Sequence, residues 1–233
     1  MTKARAPEDG GSARQLPLEL PTTPRFGREE FLPAPSNRAA LEMIERWPDW
    51  PDRALTLIGP KGAGKSHLCA IWAGRAGARA IAPDALPGLD ELAAETARAF
   101  VIDDVDRASD ETALFHLLNF VSENEAFLLM SAARAPRAES VRLPDLLSRL
   151  RRAPAVEIGA PDEELVRAVL GKLFADRQLI VEPPALVFAA LRLERSLDAA
   201  RAFVAALDRE ALAQRRPVTR ALAAKVMDEF LRD

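Results

Sequence analysis

The sequence predicts an α/β fold, a parallel-sheet core followed by a small C-terminal helical domain. Three observations carry this. Apolar runs of strand length alternate with stretches of helical period between residues 36 and 158; a glycine-rich loop separates the first run from the helical stretch after it; and beyond Gly159-Ala160-Pro161 the texture is helical throughout. Parallel strands need crossover connections, so strand and helix alternate along the chain.

Residues 1–14 (MTKARAPEDGGSAR) mix charges with Gly, Pro and Ser without any period. They predict a flexible tail, because too little apolar surface is on hand to offset the entropy of ordering. Gln15-Leu16-Pro17-Leu18-Glu19-Leu20 places leucines at alternate positions and predicts a short extended element, with the linker running to residue 24. Ser36 is the expected N-cap of a first helix with apolar positions at Ala39, Ala40, Leu41, Met43 and Ile44, ending before Trp47-Pro48.

Residues 54–58 (ALTLI) predict a buried strand and 65–74 a helix. A second strand is expected over 79–82 and a short helix over 90–96. Phe100-Val101-Ile102 and the run 127–130 are continuously apolar, as strands covered on both faces must be. A helix over 111–123 joins them, another short one precedes Leu150, and 156–158 is a last short strand. Helices over 162–176, 184–193, 197–214 and 219–231 follow. The expected organisation is a tail over 1–24, a core domain over 25–159 and a helical domain over 160–233.

Composition narrows the function classes. The 233 residues are 48% hydrophobic and 29% charged, with a net charge of −3, so there is no cationic surplus to drive nonspecific binding to DNA. One cysteine excludes an internal disulfide and, with two histidines, a multi-ligand zinc site. With no apolar stretch of about 18 residues and no signal-peptide pattern, a cytoplasmic protein without a membrane span is expected.

Gly59-Pro60-Lys61-Gly62-Ala63-Gly64-Lys65-Ser66 fits G-x-x-x-x-G-K-[ST], with a strand before it and a helix after it. Gly62 and Gly64 let backbone N–H groups curl around phosphate oxygens, and the helix N-terminus adds partial positive charge. Lys65 is expected on the β/γ-phosphates and Ser66 on Mg²⁺, so ADP or ATP with Mg²⁺ is the expected cofactor; His67, on the first helical turn, is counted with the loop. Phe100-Val101-Ile102-Asp103-Asp104 delivers carboxylates at a strand end. Asp103 is the candidate Mg²⁺ residue and Asp104 the candidate for polarising an attacking water.

On these residues the chain resembles the AAA+ ATPases, and within them the replication initiators of the DnaA group and their shorter Hda relatives. Residues 31–39 (FLPAPSNRA) resemble the stretch near the adenine pocket. Leu143-Pro144-Asp145-Leu146-Leu147-Ser148-Arg149-Leu150 looks like the family's box VII, which makes Arg149 the arginine finger. Arg195-Ser196-Leu197-Asp198 resembles the lid motif, which makes Arg195 the sensor 2 arginine. The resemblance spans about residues 25–231.

Two features favour the Hda group over the initiators. The sequence carries no further DNA-binding domain after the lid, so specific DNA binding is not expected. Gln15, Leu16, Leu18 and Leu20 resemble a motif that docks on the DNA polymerase III sliding clamp (β subunit), where a glutamine amide fixes register and leucines fill apolar pockets. The resemblance implies a regulator that holds ADP, docks on the clamp and promotes hydrolysis of ATP bound to DnaA. One position departs from the family: Ser131-Ala132-Ala133-Arg134 has Ala133 where a polar sensor 1 residue is usual, which implies weak turnover on this subunit.

A stand-alone AAA+ motor or helicase loader, and a nucleotide-gated adaptor without catalytic effect, remain alternatives, as does a homo-oligomer. His116 and Cys69 are read as packing residues, as is the ring of His67. Trp47 and Trp50 are read as packing against the core, with shaping of the nucleotide entrance as the alternative, and Arg151 and Arg152 as solvated basic surface.

Overall fold

The computed structural model describes residues 26–214 and 217–232. Gln15, Leu16, Leu18 and Leu20 lie outside the described residues.

The chain enters through a 3-10 turn (Arg28–Glu30) and α1 (Arg38–Glu45), then β1 (Ala54–Ile58) and α2 (Lys65–Ala76). β2 (Arg79–Ala80), α3 (Leu89–Ala93), β3 (Ala99–Ile102), α4 (Glu111–Glu123), β4 (Phe127–Ala132), α5 (Pro144–Arg152) and β5 (Ala155–Glu157) complete the sheet region. Four helices follow: α6 (Glu163–Asp176), α7 (Pro183–Arg192), α8 (Leu197–Gln214) and α9 (Arg220–Phe230). The strands pair in the order β2-β3-β4-β1-β5, all parallel, as the alternation of strand and helix predicts.

Side-chain alternation along the strands builds a layer on each side of the sheet. Phe100, Ile102, Leu128 and Met130 pack with Leu92, Leu117 and Leu146 from α3, α4 and α5. Leu55, Leu57, Val101 and Leu129 face Leu41, Ile44, Leu68 and Trp72 from α1 and α2. Trp50 stacks on Trp72 with ring centroids 5.2 Å apart and donates Nε1–H to Met43 O at 2.7 Å, and Trp47 meets Trp72 edge-on. Helices α6 to α9 enclose a separate core that includes Leu170, Phe203, Leu207 and Met227. A small fourth cluster of Ala34, Leu165 and Leu197 joins the entry loop to α6 and α8.

Caps fix several boundaries. Asp110, Asp162 and Thr219 accept from Ala113 N, Leu165 N and Leu222 N at 2.9, 2.8 and 3.2 Å. The first helix differs from expectation: its N-cap is Asn37, not Ser36. Asn37 Oδ1 accepts from Ala34 N and Nδ2 donates to Leu32 O, so this buried amide ties down the preceding loop. The second strand is also shorter than expected, because it is an exposed edge that pairs with β3 alone. β4 runs two residues further than predicted, through Ser131 and Ala132, since pairing with β1 continues to Ile58↔Ala132. Among the described residues no helix is long and apolar enough to cross a membrane.

Candidate functional site

The sheet order brings three chain segments to one edge. Gly59 follows β1, Asp103 and Asp104 follow β3, and Ser131 lies near the end of β4, which pairs with both of those strands. Carboxyl ends of parallel strands are where open α/β sheets bind ligands.

The glycine loop has the backbone its sequence demands. Gly62 and Gly64 have φ of +73° and +101°, in the left-handed region that glycine enters without a Cβ penalty. Among the described residues no backbone acceptor takes the amides of Gly64, Lys65, Ser66 or His67. These donors sit at the N-terminus of a 12-residue helix, the arrangement that binds anions. Lys65 is buried, and its Nζ donates to Gly59 O at 2.9 Å and Pro60 O at 3.1 Å. The ammonium is thereby held within the loop.

Across from the loop, the Ser131 hydroxyl donates to Asp103 Oδ1 and accepts from Asp104 N at 2.8 Å. Asp104 sits in the left-handed region at φ 56°. Asp103 Oδ2 and the exposed Ser66 hydroxyl make no hydrogen bond among the described residues. Two free oxygen donors of this kind suit a hard divalent cation that keeps several waters. Cys69, beneath them on α2, is buried, and desolvation followed by the charge of Asp103 pushes its thiol pKa up, so it stays neutral. Ala133 is exposed and carries no polar side chain toward the site, and its amide donates to Asp106 Oδ2 at 3.1 Å. Ser131 was not among the residues singled out from sequence. The available signal was a serine inside an apolar strand, since a buried hydroxyl needs a partner.

The helical region touches the loop directly. Leu197 N donates to Gly62 O at 2.8 Å, and Ser196 Oγ accepts from Ala199 N at 3.3 Å, capping α8. A Cβ on Gly62 would stand 2.9 Å from Ser196 Cβ and closer still to its hydroxyl. Beside this contact lies a cavity of about 330 Å³ walled in part by Phe31, Leu32, Asn37, His67, Leu165 and Leu197. That volume falls in the range of small-molecule sites. A larger cavity of about 500 Å³, walled in part by Asp106, Arg134, Val141 and Leu146, shares no residue with the loop.

His67 contributes differently from its neighbours. Its ring turns toward the entry segment, packed edge-on against Phe26 and Phe31, and Nε2 lies 3.0 Å from Gly27 O. A carbonyl only accepts, so Nε2 carries the proton. Only the His67 amide, not its ring, remains for an anion at the loop.

Arg195 is exposed and makes no hydrogen bond or ion pair among the described residues, at the residue before Ser196. Arg149 lies elsewhere. It lines a hollow with Asp52, Arg53, Ser122 and Arg152, at the N-terminal end of β1. Arg152 pairs with Asp52 at 3.6 Å, whereas Arg149 makes no ion pair among the described residues. The glycine loop leaves the opposite end of β1, so the strand's length, roughly 13 Å at about 3.3 Å per residue, separates the two.

Two outcomes follow from this geometry. Burial lowers the His67 pKa from its ordinary 6.5, against the hydrogen bond to Gly27, with Arg201 and Lys172 opposed by Glu30. The unfolded chain therefore takes up the proton first, and stability should fall as pH drops below 6.5 toward the lower folded value. Denaturant melts between pH 7 and 5 should show that slope, and His67→Gln, which keeps a donor for Gly27, should flatten it. Separately, Gly62→Ala should destabilise by about 1–2 kcal/mol through the left-handed backbone, with a further loss from the clash. In a double-mutant cycle with Ser196→Gly, urea denaturation should show the combined loss to be smaller than the sum of the two.

No protein family matches the chain at the sequence level, and no curated protein does. Solved structures do. Domain III of the Thermotoga maritima replication initiation protein DnaA superposes with a TM-score of 0.76 at 20% identity, over 92% of this chain and all of that one. The Thermotoga maritima RuvB Holliday junction branch migration motor gives 0.69 at 17% identity, over 88% of this chain and 72% of that one. Replication initiator DnaA bound to AMPPCP and single-stranded DNA gives 0.61 at 18% identity, over 78% and 64%. The five-stranded parallel sheet in the order β2-β3-β4-β1-β5 with C-terminal helices is the AAA+ fold, and this chain has it.

Proposed function

We propose that the chain is an ADP-holding regulator that docks on the β sliding clamp of DNA polymerase III and promotes hydrolysis of the ATP bound to DnaA. In its own site, the loop amides from Gly64 to His67 hold the phosphates. Lys65 pairs with phosphate oxygens, and Arg195 approaches them from the helical region. Ser66 and Asp103 would hold Mg²⁺, which would supply neutralisation of phosphate charge. Asp104 is placed to polarise a water. Residues 25–159 form the nucleotide-binding core and 160–233 the lid.

The observation that carries the regulatory part is the position of Arg149. It makes no ion pair among the described residues and lies a strand's length from its own glycine loop, so its guanidinium is available to another subunit and not to the phosphates of its own. An arginine supplied in trans to a transferring phosphoryl group is worth about 10³ to 10⁵ in rate. The proposed recipient is DnaA, whose domain III shares this chain's fold. Gln15, Leu16, Leu18 and Leu20 are the proposed clamp contact, read from sequence.

Hydrolysis of ATP on DnaA, followed with DNA-loaded clamp present, tests the proposal. The wild-type chain with ADP should accelerate it. Arg149→Ala should keep ADP and clamp binding but return hydrolysis to the unstimulated rate, and Arg149→Lys should recover little, because an ammonium lacks the planar fork. Replacing Gln15 and Leu16 with alanine should abolish clamp pull-down while ADP affinity stays unchanged. Lys65→Ala should weaken ADP about tenfold or more, as loss of a charge-assisted contact does. Fast ATP hydrolysis by this chain alone would favour a motor, and full stimulation by Arg149→Ala would overturn the role in trans.

A further inference from the structure

We infer that Ser131 is the positioning residue for the acidic side of the nucleotide site. Its hydroxyl holds Asp103 in the orientation that presents Oδ2 to Mg²⁺ and locks the turn at Asp104. The inference rests on the reading above that Asp103 meets a nucleotide-bound Mg²⁺.

Ser131 is fully buried near the end of an otherwise apolar strand, Phe127-Leu128-Leu129-Met130-Ser131-Ala132. A hydroxyl in such a place costs stability unless it is bonded. The register Ile102↔Met130 between β3 and β4 sets the next residues level, so Ser131 faces Asp103. The hydroxyl has one proton, and the carboxylate can only accept, so that proton goes to Asp103 Oδ1. An oxygen lone pair then takes the Asp104 amide at 2.8 Å.

Each bond has a consequence. The first fixes the Asp103 carboxylate through one oxygen and leaves the other free. The second secures the amide of a residue whose left-handed backbone (φ 56°, ψ 52°) is unfavourable for an L side chain. Strand β4 thus supplies a polar link to the Asp103-Asp104 pair even though Ala133 supplies none. Because Ser131 is two residues before Ala133, on the buried part of the strand, its hydroxyl acts on the carboxylate and its turn. It does not reach a substrate itself.

Calorimetry of full-length protein with ADP, and with a non-hydrolysable ATP analogue, tests this with Mg²⁺ and again with EDTA. Wild type should show a Mg²⁺-dependent gain in affinity. Ser131→Ala should keep the Mg²⁺-free affinity within about twofold, since the glycine loop is untouched, and should lose about tenfold of the Mg²⁺-dependent gain. Ser131→Thr, which keeps the hydroxyl, should restore most of it. Ser131→Cys fills a similar volume with a weaker donor and should show the same selective loss, so it carries the test if the alanine variant does not fold. A gain that wild type lacks, or that the Ala and Cys variants leave intact, overturns the inference. Equal loss with and without Mg²⁺ also overturns it, because a general packing role would do that. If wild type binds neither nucleotide under any condition, the nucleotide reading itself falls.

Discussion

The parallel pairing of β1 with β4 is the constraint on which the rest depends. Both strands are covered on both faces, and their register runs unbroken from Ala54↔Leu128 to Ile58↔Ala132. Shifting one strand by a single residue would turn every side chain to the opposite layer, exchanging the α1–α2 core for the α3–α5 core. The register is therefore strongly specified, and it leaves the glycine loop, the Asp103-Asp104 turn and Ser131 at one edge. Gly59 N donates to Ala132 O at 3.2 Å, which carries the pairing beyond the strand into the loop itself.

A second dependence follows from the loop. Gly62 lacks a side chain for two reasons at once, a left-handed backbone and the approach of Ser196. The Leu197 amide uses the carbonyl of Gly62, while the amides from Gly64 to His67 have no backbone acceptor among the described residues. The helical region is thus fastened to the glycine turn without consuming the donors of residues 64–67. The same α8 terminus places Leu197 against Ala34 and Leu165, so the entry loop and the C-terminal helices meet at one small apolar cluster.

Much of this was legible in sequence, for physical reasons that differ by element. The bounds of β1, α4 and α8 coincide with those read from the chain, because punctuation by turn residues and helical period are local signals. Ser36 and Asn37 are both good N-cap residues, and only the loop from Leu32 to Ala34 decides between them. The length of β2 depends on how far β3 accompanies it, which no local pattern encodes. The glycine loop and the Asp103-Asp104 pair were visible as motifs because each is contiguous. The hydroxyl bridge from Ser131 was not, because it joins residues 28 apart through strand register, and neither was the packing of Ser196 on Gly62.

The same topology explains why one arginine stands apart from the rest of the site. β4 ends at the loop edge, and α5 must then return along the sheet so that β5 can run parallel to β1. Residues late in α5 are consequently carried to the opposite edge. Arg149 and Arg152 lie in its last turn, one on the hollow by Asp52 without an ion pair among the described residues and the other paired with Asp52. Their charges there also complement the C-terminal end of the helix dipole, an ordinary stabilising placement for Arg. Dipole and ion pair account for Arg152. For Arg149 the dipole is the contribution that remains: its half-buried side chain makes no ion pair or hydrogen bond among the described residues, so its planar set of donors is unused there.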